Sequence, residues 1–197
     1  MTLPLIAFLL TVVVPVFFSK IRAAPFWLTL QALALGWNAL AHHGADSMHG
    51  LMALLELLLL RGAIAPLLLH RAIRQRTQPN LDLMPSNLFT WVVASALIVL
   101  AFKFGAPSMG DYPAVTLGVV GATVAVAFLL LSTNDAPPAQ LVAVLFMENA
   151  LALFESLFPE PWPLPVHGAL SAIYLLTIIV GTWLIGTPDV PVVEETA

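Results

Sequence analysis

The chain has no cysteine and very little charge: Asp, Glu, Lys and Arg together make up 9% of its 197 residues, against 60% hydrophobic residues. The missing thiols exclude disulfides, thiolate ligation of zinc or iron–sulfur clusters, and a cysteine nucleophile. Any redox centre therefore belongs to another subunit, and the sequence implies no cofactor. The scarcity of charge excludes a soluble globular domain, because too little polar surface is left to face water. With a net charge of -4 and no basic block, the chain offers nothing for nucleic acid. What it does have is long apolar runs, together giving a mean hydropathy of +0.96. The class is all-α, a polytopic protein whose partner is the lipid bilayer.

Against a hydrocarbon core of about 30 Å, the runs give about seven candidate spans, near 3–20, 25–41, 50–70, 86–104, 112–132, 138–158 and 165–186. The breaks carry Ser19, Lys20 and Arg22, then the polar 42–49 stretch, then Arg71, Arg74 and Arg76 with Pro79 and Pro85. Later breaks are Gly105 to Pro107, Asn134 to Pro138, and the proline-rich 158–163. Proline is tolerated in the first helical turn, so Pro138 and Pro165 read as helix starts. The first run begins near Met1 without a basic n-region, which reads as a retained span. Five of the seven basic residues, Lys20, Arg22, Arg71, Arg74 and Arg76, follow the first and third spans. The positive-inside rule makes that side cytoplasmic, with the N-terminus outside and the C-terminus inside. Residues 1–110 form a four-helix region, 111–187 a three-helix module, and 188–197 an acidic cytoplasmic tail with Glu194 and Glu195. Trp27, Trp91, Trp162 and Trp183 fall toward span ends, as an interfacial belt requires.

The residues that cost most in such a chain are its interior polar groups. An ionised carboxylate in hydrocarbon is expensive and marks a site by default. Glu148, in the apolar run LVAVLFMENALALFES, is the principal one. Glu155 lies seven residues on, within about 20° of the same helical face and about 10 Å along the axis. Two carboxylates in line suggest a proton path, while Glu155 also reads as a solvated group near the outer boundary. Glu56 and Arg61 are five apart, about 140° around an α-helix, so each is expected to meet another helix. The alternative is an ion pair that only fixes packing. Pro66 removes a helical hydrogen bond to the Gly62 carbonyl, so 61–66 is expected to kink with a free carbonyl beside the arginine. His167, Ser171 and Tyr174 make a stripe on the last span, and the imidazole suits a relay or a plain interfacial position. Gln31 and Asn38 share one face of the second span, and they and Asn149 are amides that can bond a neighbouring helix. In the outer 42–49 stretch, His42, Asp46 and His49 would share a helical face and could ligate a divalent metal. Gly44 and Gly50 disfavour a regular helix there, so a polar loop is the preferred reading and no metal is assigned.

Three local patterns carry a resemblance: Pro25-Phe26-Trp27-Leu28-Thr29-Leu30-Gln31, Arg61 followed five positions on by Pro66, and Met147-Glu148-Asn149. Their order resembles the hydrogenase-4 component E family, membrane subunits of formate hydrogenlyase-type complexes. Residues 112–186 also look like the K-type subunit of respiratory complex I, with Glu148 in the place of its key membrane glutamate. The resemblance implies a non-catalytic subunit of a group 4 hydrogenase or complex I-related assembly in a bacterial inner membrane. It also implies antiporter-like and other membrane subunits as partners, and proton translocation through Glu148. Departures are Ser171 where the family tends to carry an acid, Arg61 where a lysine is expected, and the additional Glu56. Arginine stays protonated, so Arg61 suits fixed tuning of Glu148 rather than proton carriage, and His167 is the candidate to replace the missing acid. Two other readings stand beside this one: a subunit of a cation/proton antiporter or ion-coupled uptake complex, and a structural scaffold whose charges only pair.

Overall fold

The computed structural model describes residues 3–43, 48–76, 82–83, 88–106, 110–158 and 162–187. Among them no strand forms; the elements are α1 (Leu3–Phe18), a 3-10 turn (Ile21–Ala23), α2 (Ala24–His43), α3 (Met48–Glu56), a π-helical segment (Leu57–Ile64), α4 (Ala65–Arg76), α5 (Leu88–Gly105), α6 (Tyr112–Thr133), α7 (Pro137–Glu155) and α8 (Leu164–Gly186). Five stretches, Leu51–Gln75, Leu88–Gly105, Tyr112–Thr133, Pro137–Glu155 and Pro165–Gly186, are long and apolar enough to cross a membrane, and α1 is a shorter apolar helix. The chain is thus an all-helical, multi-pass membrane protein by length and composition. The acidic tail lies outside the described residues, as do Asp46 and the side chains of His42 and His49.

Proline marks the helix starts. α6, α7 and α8 each carry one in the first two positions, where the missing N–H leaves no bond unmade. The third span departs from a plain kink. The segment before Pro66 relaxes into i→i+5 register over Leu57–Ile64, and α3, the π segment and α4 run on without a break. A proline that cannot complete the α-helical ladder is one recognised cause of such a local change of register.

α7 and α6 are the most enclosed spans, while α5 and α8 present most of their surface outward. α2 packs on α1, the π segment, α4 and α7; α6 lies between α5 and α7; α8 closes against α4 and α7. The main core runs from Val12 in α1 to Ile185 in α8 and is filled by Leu28, Leu69, Leu130, Leu145 and Phe146. A second cluster of Leu5, Phe8, Leu35, Val119 and Leu153 lies on α1, α2, α6 and α7.

The connections sort into two ends. The Leu83 N–H donates to the Ser19 carbonyl (3.1 Å) and Asn134 Nδ2 to the Leu83 carbonyl (2.9 Å), joining the α1–α2, α4–α5 and α6–α7 connections. Lys20 pairs there with Asp82 at 2.6 Å, both exposed. At the opposite end Tyr112 Oη donates to Asn38 Oδ1 (2.8 Å), and Asn38 Nδ2 to Ser156 Oγ (3.4 Å). Lys20, Arg22, Arg71 and Arg74 therefore belong to one end, called the basic end below, and the α7–α8 connection to the other.

α5 is held to the bundle by close backbone approach to α6. A Cβ on Gly105 would meet the Gly118 nitrogen at 3.0 Å and its Cα at 3.1 Å, backbone atoms that cannot swing aside. A Cβ on Gly121 would meet only the Ala101 methyl at 3.5 Å, an ordinary contact. Gly105→Ala is expected to lower stability in detergent by about 1–3 kcal/mol through overpacking, and Gly121→Ala to leave it nearly unchanged. Thermal unfolding of the two variants side by side checks this; equal effects would contradict the packing described.

Candidate functional site

Arg61 sits in the π segment, 6% exposed at its side chain. A buried guanidinium has five N–H donors to satisfy, and its partners come from both directions along the chain. Nη1 donates to Asn149 Oδ1 (3.0 Å) and to the Glu148 backbone carbonyl (3.1 Å), both on α7. Nε lies 3.6 Å from Glu56 Oε1. The guanidinium carbon stands 4.3 Å from the centre of the Tyr174 ring on α8, a cation–π contact. Glu56 and Arg61 each meet another helix as expected, Glu56 on α8 and Arg61 on α7 and α8. They also approach each other, which the expectation of divergent directions did not allow. That expectation assumed α-helical winding, whereas i→i+5 register brings residues five apart onto one side of the turn.

The amides continue the arrangement. Asn149 Nδ2 donates to Gln31 Oε1 (2.7 Å), and both residues are fully buried. Gln31 and Asn38 of α2 thus meet Asn149 and Ser156 of α7, seven residues apart on each chain segment, as two parallel helices in register allow. The Gly62 carbonyl beside Pro66 accepts from Thr29 Oγ1 at 3.0 Å. This is the carbonyl that Pro66 was expected to release, and α2 supplies its donor.

Toward the end opposite the basic loops the chain of polar groups goes on. His167 of α8 stands between two carboxylates, with Nε2 3.8 Å from Glu56 Oε2 and Nδ1 3.5 Å from Glu155 Oε2. Ser171 Oγ lies 3.2 Å from Glu56 Oε1 and 3.0 Å from the His167 carbonyl. Glu155 Oε1 accepts from the Trp162 backbone N–H at 3.3 Å. Glu148 itself is held differently from Glu56. Its Oε1 accepts from Thr177 Oγ1 at 2.8 Å, while Oε2 is buried and has no hydrogen-bond partner in the protein. Arg61 reaches the backbone of Glu148, and Glu56 is the carboxylate it pairs with.

The structure therefore gathers Gln31, Glu56, Arg61, Glu148, Asn149, Glu155, His167 and Ser171 into one connected region where α2, the α3–π junction, α7 and α8 converge. Asn38 belongs to a separate contact with Tyr112 and Ser156. Among the described residues no group of three His, Cys, Asp or Glu has the arrangement to hold a metal ion. Thr177 and Thr29 escaped the sequence reading. Thr177 continues the His167, Ser171, Tyr174 spacing by one further step, so the stripe itself could have found it; Thr29 sits inside the aromatic-led motif with no feature of its own.

Comparison of the chain with protein-family models, with curated protein sequences and with solved structures finds no match in any of the three. The site is thus read from its own chemistry.

Removing one partner of a buried ion pair leaves the other uncompensated, which costs about 3–5 kcal/mol. Arg61→Met is expected to destabilise the protein in detergent by that order, and Arg61→Met/Glu56→Met to recover a substantial part of the loss. A double variant no more stable than Arg61→Met alone would show that the pair carries no coupled charge.

Proposed function

We propose that the chain is a non-catalytic membrane subunit of a group 4 hydrogenase or complex I-related assembly, and that it supports proton movement through Glu148. It crosses a bacterial cytoplasmic membrane seven times, the N-terminus outside and the C-terminus in the cytoplasm. The observation that carries the reading is the connected polar region itself. Three carboxylates, a histidine and an arginine meet on adjacent helices of an otherwise apolar bundle, an arrangement that packing alone does not require. The clustering of Lys20, Arg22, Arg71 and Arg74 at one end supports the orientation. The outward apolar faces of α5 and α8 suit lipid and antiporter-like membrane subunits.

The chemistry follows from the spacing. His167 can take a proton on Nδ1 from a Glu155 carboxyl and release the one on Nε2 toward Glu56, since both carboxylates lie within 3.8 Å of its ring. Imidazole is the side chain whose charge changes near neutral pH, which suits this place. Ser171 and Thr177 are hydroxyls that both donate and accept, placed against Glu56 and Glu148. Arg61 stays charged and does not carry the proton; it sets a fixed positive potential beside the Glu148 backbone. His167 takes the part that an acid at Ser171 would otherwise play.

A scaffold reading is favoured by one observation: Arg61 ties the π segment to α7 and α8 at once, which fixes helix packing whatever else it does. The two separate on Glu148→Gln, which keeps the shape and the Thr177 hydrogen bond. In the assembled complex this variant is expected to leave assembly intact and lower coupled proton uptake at least several-fold. Loss of assembly with normal coupling in the residual complex would favour the scaffold, and unchanged coupling would remove the role assigned to Glu148.

A further inference from the structure

The polar region is one-sided. Near the α7–α8 connection the side chains of His167, Glu155 and Glu56 are 20%, 18% and 17% exposed, Arg61 behind them is 6%, Asn149 and Gln31 are closed off, and Glu148 and Thr177 are again partly exposed. Toward the basic end no charged side chain follows Glu148 on α7 or α8 among the described residues; Thr182 and Gln140 bond backbone carbonyls of their own surroundings. The next layer between α4, α7 and α8 is made by Leu69, Ile73, Leu141, Leu145, Ile178 and Ile185, all buried. From Thr177 to Ile185 this layer is about 12 Å deep along α8. Its tightest point is Gly181, where a Cβ would lie 2.4 Å from Leu141 Cδ1 and 2.7 Å from Cδ2. The Leu141 side chain thus lies against the α8 backbone at Gly181, and a side chain there would require Leu141 to move.

Within the polar region, Glu148 Oε2, Tyr174 Oη, Gln31 Nε2 and Arg61 Nε are buried without a hydrogen-bond partner in the protein. Buried polar groups are nearly always satisfied by protein or by ordered water, and a single orphan costs about 1–3 kcal/mol. Such groups gathered in one polar region, next to partly exposed Glu155 and His167, describe a place that water enters.

We infer that Glu155, His167, Glu56 and Ser171 line a water inlet that opens at the α7–α8 connection, ends at Glu148 and Thr177, and is sealed from the basic end by Leu141 packed on Gly181. The inference rests on the proton role of Glu148 and adds its access: in this conformation the carboxylate exchanges protons with one side of the membrane only. Delivery to the other side requires α7 and α8 to part at Leu141 and Gly181. These two residues are positioning residues, acting through the separation of the helices.

The absence of native cysteine makes the test direct. In sealed membrane vesicles of both orientations carrying the assembled complex, Ser171→Cys and Thr177→Cys are treated with a small, membrane-impermeant, cationic thiosulfonate. Lys20→Cys and Arg71→Cys mark the basic face. Comparing one thiol from two faces cancels differences in its intrinsic reactivity. Both inlet positions are expected to react roughly tenfold or more faster from the face opposite the Lys20→Cys marker. Adding Leu141→Ala to Thr177→Cys is expected to open reaction from the basic face as well. Reaction of Thr177→Cys from the basic face with Leu141 intact, or from neither face, would overturn the inlet. Failure of Leu141→Ala to admit the reagent would overturn the seal. One-sided labelling together with normal coupling in Glu148→Gln would support the inlet while removing the proton role, so the two claims fail separately.

Discussion

A guanidinium buried in an apolar bundle needs partners from several directions, and that requirement organises this bundle. Arg61 cannot shed its charge, so the helices around it bring a carboxylate, an amide oxygen, a backbone carbonyl and an aromatic face. They come from three places in the sequence: Glu56 from the preceding turn, Asn149 and Glu148 from α7, Tyr174 from α8. Asn149 in turn needs Gln31 of α2. Four parts of the chain are thereby held in register by polar contacts, in a setting where burial of apolar surface gives little preference for one helix–helix packing over another.

The π-helical segment is the local device that makes this possible. In α-helical winding Glu56 and Arg61 would diverge, and the carboxylate would need a cation from elsewhere. Relaxed winding before Pro66 brings the two together, and the Gly62 carbonyl it exposes is capped by Thr29 across the α2 contact. Irregular backbone inside a membrane protein is tolerated where protein covers it, and α2 provides the cover. π segments recur at functional sites because they turn a side chain away from its α-helical direction, and here the side chain so turned is the arginine.

Much of this was readable in the residues. The apolar runs, the proline starts and the grouping of basic residues come from composition and spacing, which act locally. The polar residues were identifiable singly, since Glu148, Arg61 and Gln31 are each costly in an apolar run. What the sequence could not supply was their pairing. Which carboxylate Arg61 meets depends on helical register at Leu57–Ile64, and no residue there announces the wider i→i+5 turn. Thr177 looked like one more small residue of an apolar span until α8 was laid on α7. Gly181 likewise has no meaning until Leu141 lies on it.

The site joins two kinds of group. Glu56 and Arg61 are fixed by mutual charge, while Glu148, held by a single hydroxyl, keeps one oxygen without a protein partner. In the proposed role Glu148 is the carboxylate that changes state, and the arginine network, through its bonds to the Glu148 carbonyl and Asn149, fixes the backbone beside it. Arg61 grips α7 through the Glu148 carbonyl and Asn149 Oδ1. A double-mutant cycle between Arg61→Met and Asn149→Leu, read by unfolding in detergent, measures it directly. A hydrogen bond to a charged group predicts a coupling of about 1.5–3 kcal/mol. Additive effects of the two substitutions would contradict it.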